Sequence, residues 1–227
     1  MLGAAQLATT DPERAATALS TLDSAMAERQ AAPPMVRLVE EAIFGKLAEH
    51  PDFTGRLAED VGVVARAAIR YVAHRLGNPA DFMKAGFSEE TVVEQHLAND
   101  IERFLAAAPL SRGTVAIESR RIGGGRADVV VGFTSHRVII ELKRELNDAK
   151  VDALEHHYAD QAASYQATDY PFGIVMVLDL STDQTASLAH LRDLVWTSSL
   201  AVARLPSRQL IWCVVPGRRV SPSALSR

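Results

Sequence analysis

Residues 123–145, GGGRADVVVGFTSHRVIIELKRE, carry two runs of β-branched residues on either side of a polar tetrad, TSHR at 134–137. Val and Ile lose rotamer freedom in a helix and pack well on a pleated surface, so ADVVVGF (127–133) and VIIELKR (138–144) read as strands. A connection of four polar residues joins antiparallel neighbours. The segment is therefore expected to form a hairpin. Within it, Asp128, Glu141 and Lys143 interrupt an otherwise apolar pattern.

The flanking sequence extends that hairpin into a larger sheet. TVAIESRR (114–121), FGIVMVLDL (172–180) and RQLIWCVVP (208–216) are further strand-like runs. SEETVVEQHLANDIERFLAAA (88–108) carries Val92, Val93, Leu97, Ile101, Phe104 and Leu105 along one helical face, and helices are expected again over 148–168 and 183–195. The resulting order is helix, three strands, helix, strand, helix, strand. It implies an α/β domain with a mixed sheet covered by helices. Residues 1–80 show only helical spacing, with Pro33, Pro34 and Pro51 at the boundaries. They are expected to form a helical N-terminal region ahead of the domain at 81–227, with GNPADFMKAGF (77–87) as the connection.

The chain has 227 residues, 48% hydrophobic and 23% charged, which suits a globular protein with a sizeable core. No stretch approaches the ~18 apolar residues of a membrane span, and the N-terminus lacks signal-peptide character, so no membrane association and a cytoplasmic location are expected. Cys213 is the single cysteine, which leaves no thiolate zinc site within the chain. The net charge of −4 confines any nucleic-acid site to local basic clusters. Those clusters are Arg120, Arg121 and Arg126, then Lys143 and Arg144, and finally Arg218 and Arg219.

If the tetrad closes a tight turn, residue 133 faces 138 and Asp128 faces Lys143, with Glu141 on the diagonal. Strand alternation then gathers Asp128, Glu141 and Lys143 on one face. Two carboxylates at that spacing suit one divalent ion, and all-oxygen ligands favour Mg2+ or Mn2+ over zinc. Lys143 would add a positive charge for an attacking water or a phosphoryl transition state. The competing reading is a structural ion pair at the rim of a sheet.

GGGRADVVV followed by VIIELKRE, behind a Glu-bearing helix and a strand, resembles the PD-(D/E)xK nuclease superfamily, with Asp128 matching its aspartate and Glu141-Leu142-Lys143 its ExK. The resemblance spans about residues 88–180 and implies an αβββαβ restriction-endonuclease-like core. Ala127 stands where many members carry proline. In HHYADQAASYQ, Gln161 and Tyr165 resemble the QxxxY element of the RecB-like branch, where the glutamine lies near metal and nucleic acid. Glu90 or Glu94 would supply the family's helix-borne acid, and the sequence does not choose between them.

The implied activity is metal-dependent hydrolysis of phosphodiester bonds in DNA, with RNA possible, in restriction, repair or anti-phage defence. Asp128 and Glu141 would hold the metal, and Lys143, Gln161 and Glu94 or Glu90 would act around it. Arg120, Arg121, Arg126, Arg144 and Tyr165 would contact nucleic acid. The alternative is a catalytically silent nuclease-fold module that binds nucleic acid or protein. The helical N-terminal region offers a surface for a homodimer or a partner subunit.

Overall fold

A computed structural model describes residues 32–84, 92–107, 114–118, 128–165, 171–181, 190–201 and 207–218, with 114–118, 128 and 160–165 described by backbone alone. The chain separates into two compact units, Met1–Leu38 and Val39–Arg227. Helix α1 (Pro34–Leu47) runs across that division. The larger unit also holds α2 (Gly55–Gly77), a single 3-10 turn at Asp81–Met83, and α3 (Glu94–Ala107). These lie in the same unit as the sheet.

The sheet has six strands in the order β1-β2-β3-β4-β6-β5. They are β1 (Thr114–Glu118), β2 (Asp128–Gly132), β3 (Arg137–Glu145), β4 (Phe172–Asp179), β5 (Val195–Leu200) and β6 (Arg208–Pro216). Strands β3, β4 and β6 run parallel to their neighbours in that trio, while the β1/β2, β2/β3 and β5/β6 pairs are antiparallel. Parallel strands need covered faces, and every residue of β4 is buried. The protein is thus mixed α/β with a mixed sheet flanked by helices. Helix α2 packs on β6 and β3, α3 on β1, β2 and β3, and α4 (Val151–Tyr165) on β4, β5 and β6.

Two features differ from the sequence expectation. The helix expected over 183–195 is represented, among the described residues, by one turn, Leu191–Leu194, which leads directly into strand β5. Residues 182–189 lie outside the described ones. Strand β5 exists because Trp196 pairs across the ladder with Trp212 and their rings stack 5.7 Å apart, 5° from parallel. The Trp212 indole N–H also donates to Ser198 Oγ at 2.8 Å. Those contacts are non-local, so a six-residue stretch, VWTSSL, carries little of the signal by itself.

The second difference is the hairpin. Phe133 N–H donates to His136 O at 2.7 Å, so only Thr134 and Ser135 form the turn and the register is Gly132–Arg137, Val131–Val138 and onward to Val129–Ile140. This is a two-residue shift from the expected pairing of 133 with 138. An even shift preserves which residues share a face but changes which of them are opposite. The turn is held from outside by His136 Nδ1, 2.8 Å from the buried Asp60 carboxylate on α2.

Helices α2 and α3 are latched by one carboxylate. Asp100 Oδ2 accepts the Tyr71 hydroxyl at 2.6 Å, and Asp100 Oδ1 accepts Arg75 Nη2 at 2.6 Å. Burial, reinforced by the Asp100 bond, pushes the Tyr71 phenol far above its ordinary range, so it stays a donor. At the far end of the sheet, Gly217 N–H donates to Asp179 O at 2.7 Å, and a Cβ there would lie 2.6 Å from that oxygen. Tyr71→Phe is expected to lower unfolding free energy by about 1 kcal/mol, because it leaves the half-buried Asp100 carboxylate short of one donor. Urea denaturation at neutral pH measures that loss, and an unchanged midpoint would show that the latch carries no stability.

Candidate active site

Strand β3 is the backbone of the site. Ile140 and Leu142 are buried in the apolar core, while the alternate positions 141, 143 and 145 place Glu141, Lys143 and Glu145 on the other face. Continuing the β2/β3 register by one residue sets position 128 opposite Glu141, and Lys143 takes the diagonal that sequence reasoning had assigned to Glu141. Glu118 pairs with Asp128 on the outer side, and Val175 with Glu141 on the inner side. One cross-strand row therefore runs through the positions of Glu118, Asp128 and Glu141 on three adjacent strands. Paired positions in an antiparallel ladder share a face. The side chains of Glu118 and Asp128 lie outside the described residues.

Glu141 and Lys143 form a buried ion pair, with side chains 5% and 12% exposed and Lys143 Nζ donating to Glu141 Oε1. Glu141 Oε2 is also buried, and it has no hydrogen-bond partner among the described residues. An unmatched carboxylate oxygen away from water is unfavourable by several kcal/mol unless a cation or donor meets it. Among the described residues only Lys143 meets this carboxylate, through its other oxygen. All-oxygen donors of this kind fit a hard divalent cation. Among the described residues no three His, Cys, Asp or Glu side chains gather around one point, so Asp128 would have to complete a ligand set.

Glu94 joins the same cluster from helix α3. Its carboxylate accepts the backbone N–H of Arg144, and it senses the charges of Lys143, Arg144 and Glu141. With position 128 opposite Glu141 at the start of β2, residues 142–145 lack a strand partner on that side among the described residues. Glu94 occupies that side, and Arg144 Nη1 donates to Val92 O at 2.7 Å to fix the chain just before the helix. The helix start is closed locally by Val93 N–H donating to His96 Nδ1 at 3.2 Å, which gives His96 a capping role. Burial pushes the Glu94 carboxyl above its ordinary value. The Lys143 charge and the Arg144 N–H oppose that shift without cancelling it, and Glu141 adds to it.

Two residues that sequence reasoning missed complete the surroundings. Glu145 is buried, accepts the backbone N–H groups of Asn147 at 2.7 Å and Asp148 at 3.3 Å on Oε1, and accepts the Tyr158 hydroxyl at 2.9 Å on Oε2. Burial alone would raise the Glu145 carboxyl, but these donors outweigh it and hold it below its ordinary value. Burial and the Glu145 bond push the Tyr158 phenol up to about 12. The period-two series Glu141, Lys143, Glu145 was present in ELKRE, and Tyr158 stands three residues before Gln161. Both signals were available.

The remaining expected residues fall as follows. Position 161 and position 165 lie in helix α4, with side chains outside the described residues. Glu90, Arg120, Arg121 and Arg126 also lie outside them. Arg144 is engaged with Val92 O, so it anchors the approach to α3. His156 and His157 are exposed side by side, and Trp196 and Trp212 serve the β5/β6 interface. Cys213 is fully buried, which pushes its thiol up to about 12 and leaves it unreactive. Among the described residues no helix is long and apolar enough to cross a membrane. No protein-family profile matches the chain, and neither a curated protein nor a solved structure matches it.

The Glu94 shift has a stability signature. A raised carboxyl pKa means that the folded protein binds more protons than the unfolded chain above the ordinary value of 4.5. The Glu94 contribution is then full below that pH and is lost as pH rises through the raised value. Glu94→Gln removes the titration. The wild-type unfolding free energy relative to Glu94→Gln is expected to fall as pH increases above 4.5 and then to level off, read by urea melts over about pH 4–8. A difference independent of pH would remove Glu94 from the buried cluster.

Proposed function

We propose that the chain is a metal-dependent nuclease of the PD-(D/E)xK type that hydrolyses phosphodiester bonds, with DNA the principal substrate and RNA the second. The order α3-β1-β2-β3-α4-β4 supports a restriction-endonuclease-like core. The observation that carries the reading is Glu141 Oε2, buried and unpartnered among the described residues, beside Lys143 and opposite the position of Asp128.

Asp128 and Glu141 would hold Mg2+ or Mn2+, which when bound supplies Lewis-acid stabilisation of phosphate charge and a more acidic water. Lys143 donates to Glu141 Oε1 and shares its face of β3, where the ammonium can orient a water or offset charge on the phosphate. Glu94 takes a proton more readily than an exposed carboxylate, which suits it to receive one from the attacking water. Gln161 and Tyr165 on α4, with Arg120, Arg121 and Arg126 ahead of β2, would engage the nucleic acid.

Asp128→Ala, Glu141→Gln and Lys143→Ala are each expected to reduce cleavage by about 100-fold or more, the scale of losing a group that stabilises transition-state charge. The assay uses linear, circular and single-stranded DNA and RNA with Mg2+ or Mn2+, with circular dichroism to show that each variant is folded. Full activity in all three would sink the assignment. An inactive wild type that fails to bind Mn2+ by calorimetry would identify a silent nuclease-fold module instead.

A further inference from the structure

Glu145 and Tyr158 have no part in the proposed reaction, yet they form the most completely satisfied polar pair beside it. Both Glu145 oxygens are used, one by the backbone N–H groups of Asn147 and Asp148 and the other by the Tyr158 hydroxyl. A carboxylate held by backbone donors cannot swing, so the hydroxyl it receives is fixed to β3. The Tyr158 ring in turn faces Lys143, whose Nζ lies 6.0 Å from the ring centroid. That is within the range at which an ammonium is drawn to a π face. Donation of the phenol proton toward a carboxylate polarises the O–H bond and enriches the ring in electron density, which strengthens this attraction.

We infer that Glu145 and Tyr158 form a clamp that positions the Lys143 ammonium and sets the roll of helix α4 over the sheet. Glu141 Oε1 holds the amine from one side and the Tyr158 ring bounds it from another, so a long flexible side chain is confined to one place. The clamp is also the tie between α4 and the strand bearing Glu141. Positions 161 and 165 follow Tyr158 by three and seven residues and so continue its helical stripe. The inference rests on the nuclease reading for what Lys143 does there, but the positioning of the amine is independent of it.

The test reads the amine first. Acylation of the folded full-length chain by acetic anhydride is followed by mass spectrometry, with the exposed Lys46, Lys84 and Lys150 as internal standards. Tyr158→Phe and Glu145→Gln are each expected to raise the relative rate at Lys143 by about 10-fold, the scale of one hydrogen bond to a charged group. An unchanged rate in both would overturn the clamp. If Tyr158→Phe does not fold, Glu145→Gln alone decides, since it keeps the side-chain shape. In the cleavage assay both variants should lower kcat by about 10-fold and leave KM within about 2-fold, as expected for a misplaced group in an otherwise intact site. A loss carried by KM alone would assign the pair to substrate binding and overturn positioning. If the wild type cleaves no nucleic acid, the nuclease reading falls and the acylation rates still decide the clamp.

Discussion

The interaction on which the rest depends is the burial of Glu141 and Lys143 together on a central strand. A single carboxylate in that position would be expelled or protonated, because a lone charge is strongly disfavoured away from water. With Lys143 two residues further along the same strand, the pair brings its own counter-charge, and β3 can enter the core with Ile140 and Leu142 packed on its other face. The arrangement leaves one oxygen of Glu141 unmatched among the described residues. Breaking such a pair is more destabilising than forming it is stabilising, because it leaves an uncompensated buried charge.

Around that pair the protein places further charged groups by three different physical means. Glu94 comes from the start of α3, where its carboxylate accepts the backbone N–H of Arg144 and senses the Lys143 and Glu141 charges. Glu145 is held by the turn that follows its own strand, through Asn147 and Asp148. Tyr158 comes from α4 across the face of the sheet. Helix start, strand end and crossover helix thus meet at one end of β3. Convergence of this kind at the carboxyl ends of parallel strands is where open α/β sheets commonly carry their chemistry.

The environments of the carboxylates push them in opposite directions. Glu94 is raised by burial, whereas Glu145 is depressed because the backbone N–H groups of Leu146, Asn147 and Asp148 and the Tyr158 hydroxyl outweigh its burial. One acid is thereby inclined to exchange protons while the other stays a fixed anion. Separation of acidities among neighbouring carboxylates is a recurrent feature of hydrolytic centres. Burial likewise keeps the Cys213 thiol on β6 neutral.

Local patterns were enough to identify most elements, since the periods of 3.6 and 2 are written in neighbouring residues. The runs at 127–133, 138–144, 172–180 and 208–216 became β2, β3, β4 and β6 with ends shifted by at most a few residues. Alternation along β3 likewise placed Glu141 and Lys143 on one face before any pairing was known. What local pattern could not decide was anything set by contacts across the chain. The turn shortened to Thr134 and Ser135 because Phe133 bonds His136, and this moved the position of Asp128 from beside Lys143 to beside Glu141. Strand β5 was invisible until Trp196 met Trp212. Glu94 and Tyr158 acquired their surroundings only when α3 and α4 docked on β3, because distance along the chain carries no information about which helix face a strand end will meet. The sequence by itself determined most of the elements and the chemical character of β3; tertiary structure decided strand β5, the register and the company the charges of β3 keep, because those rest on contacts between residues far apart in the chain.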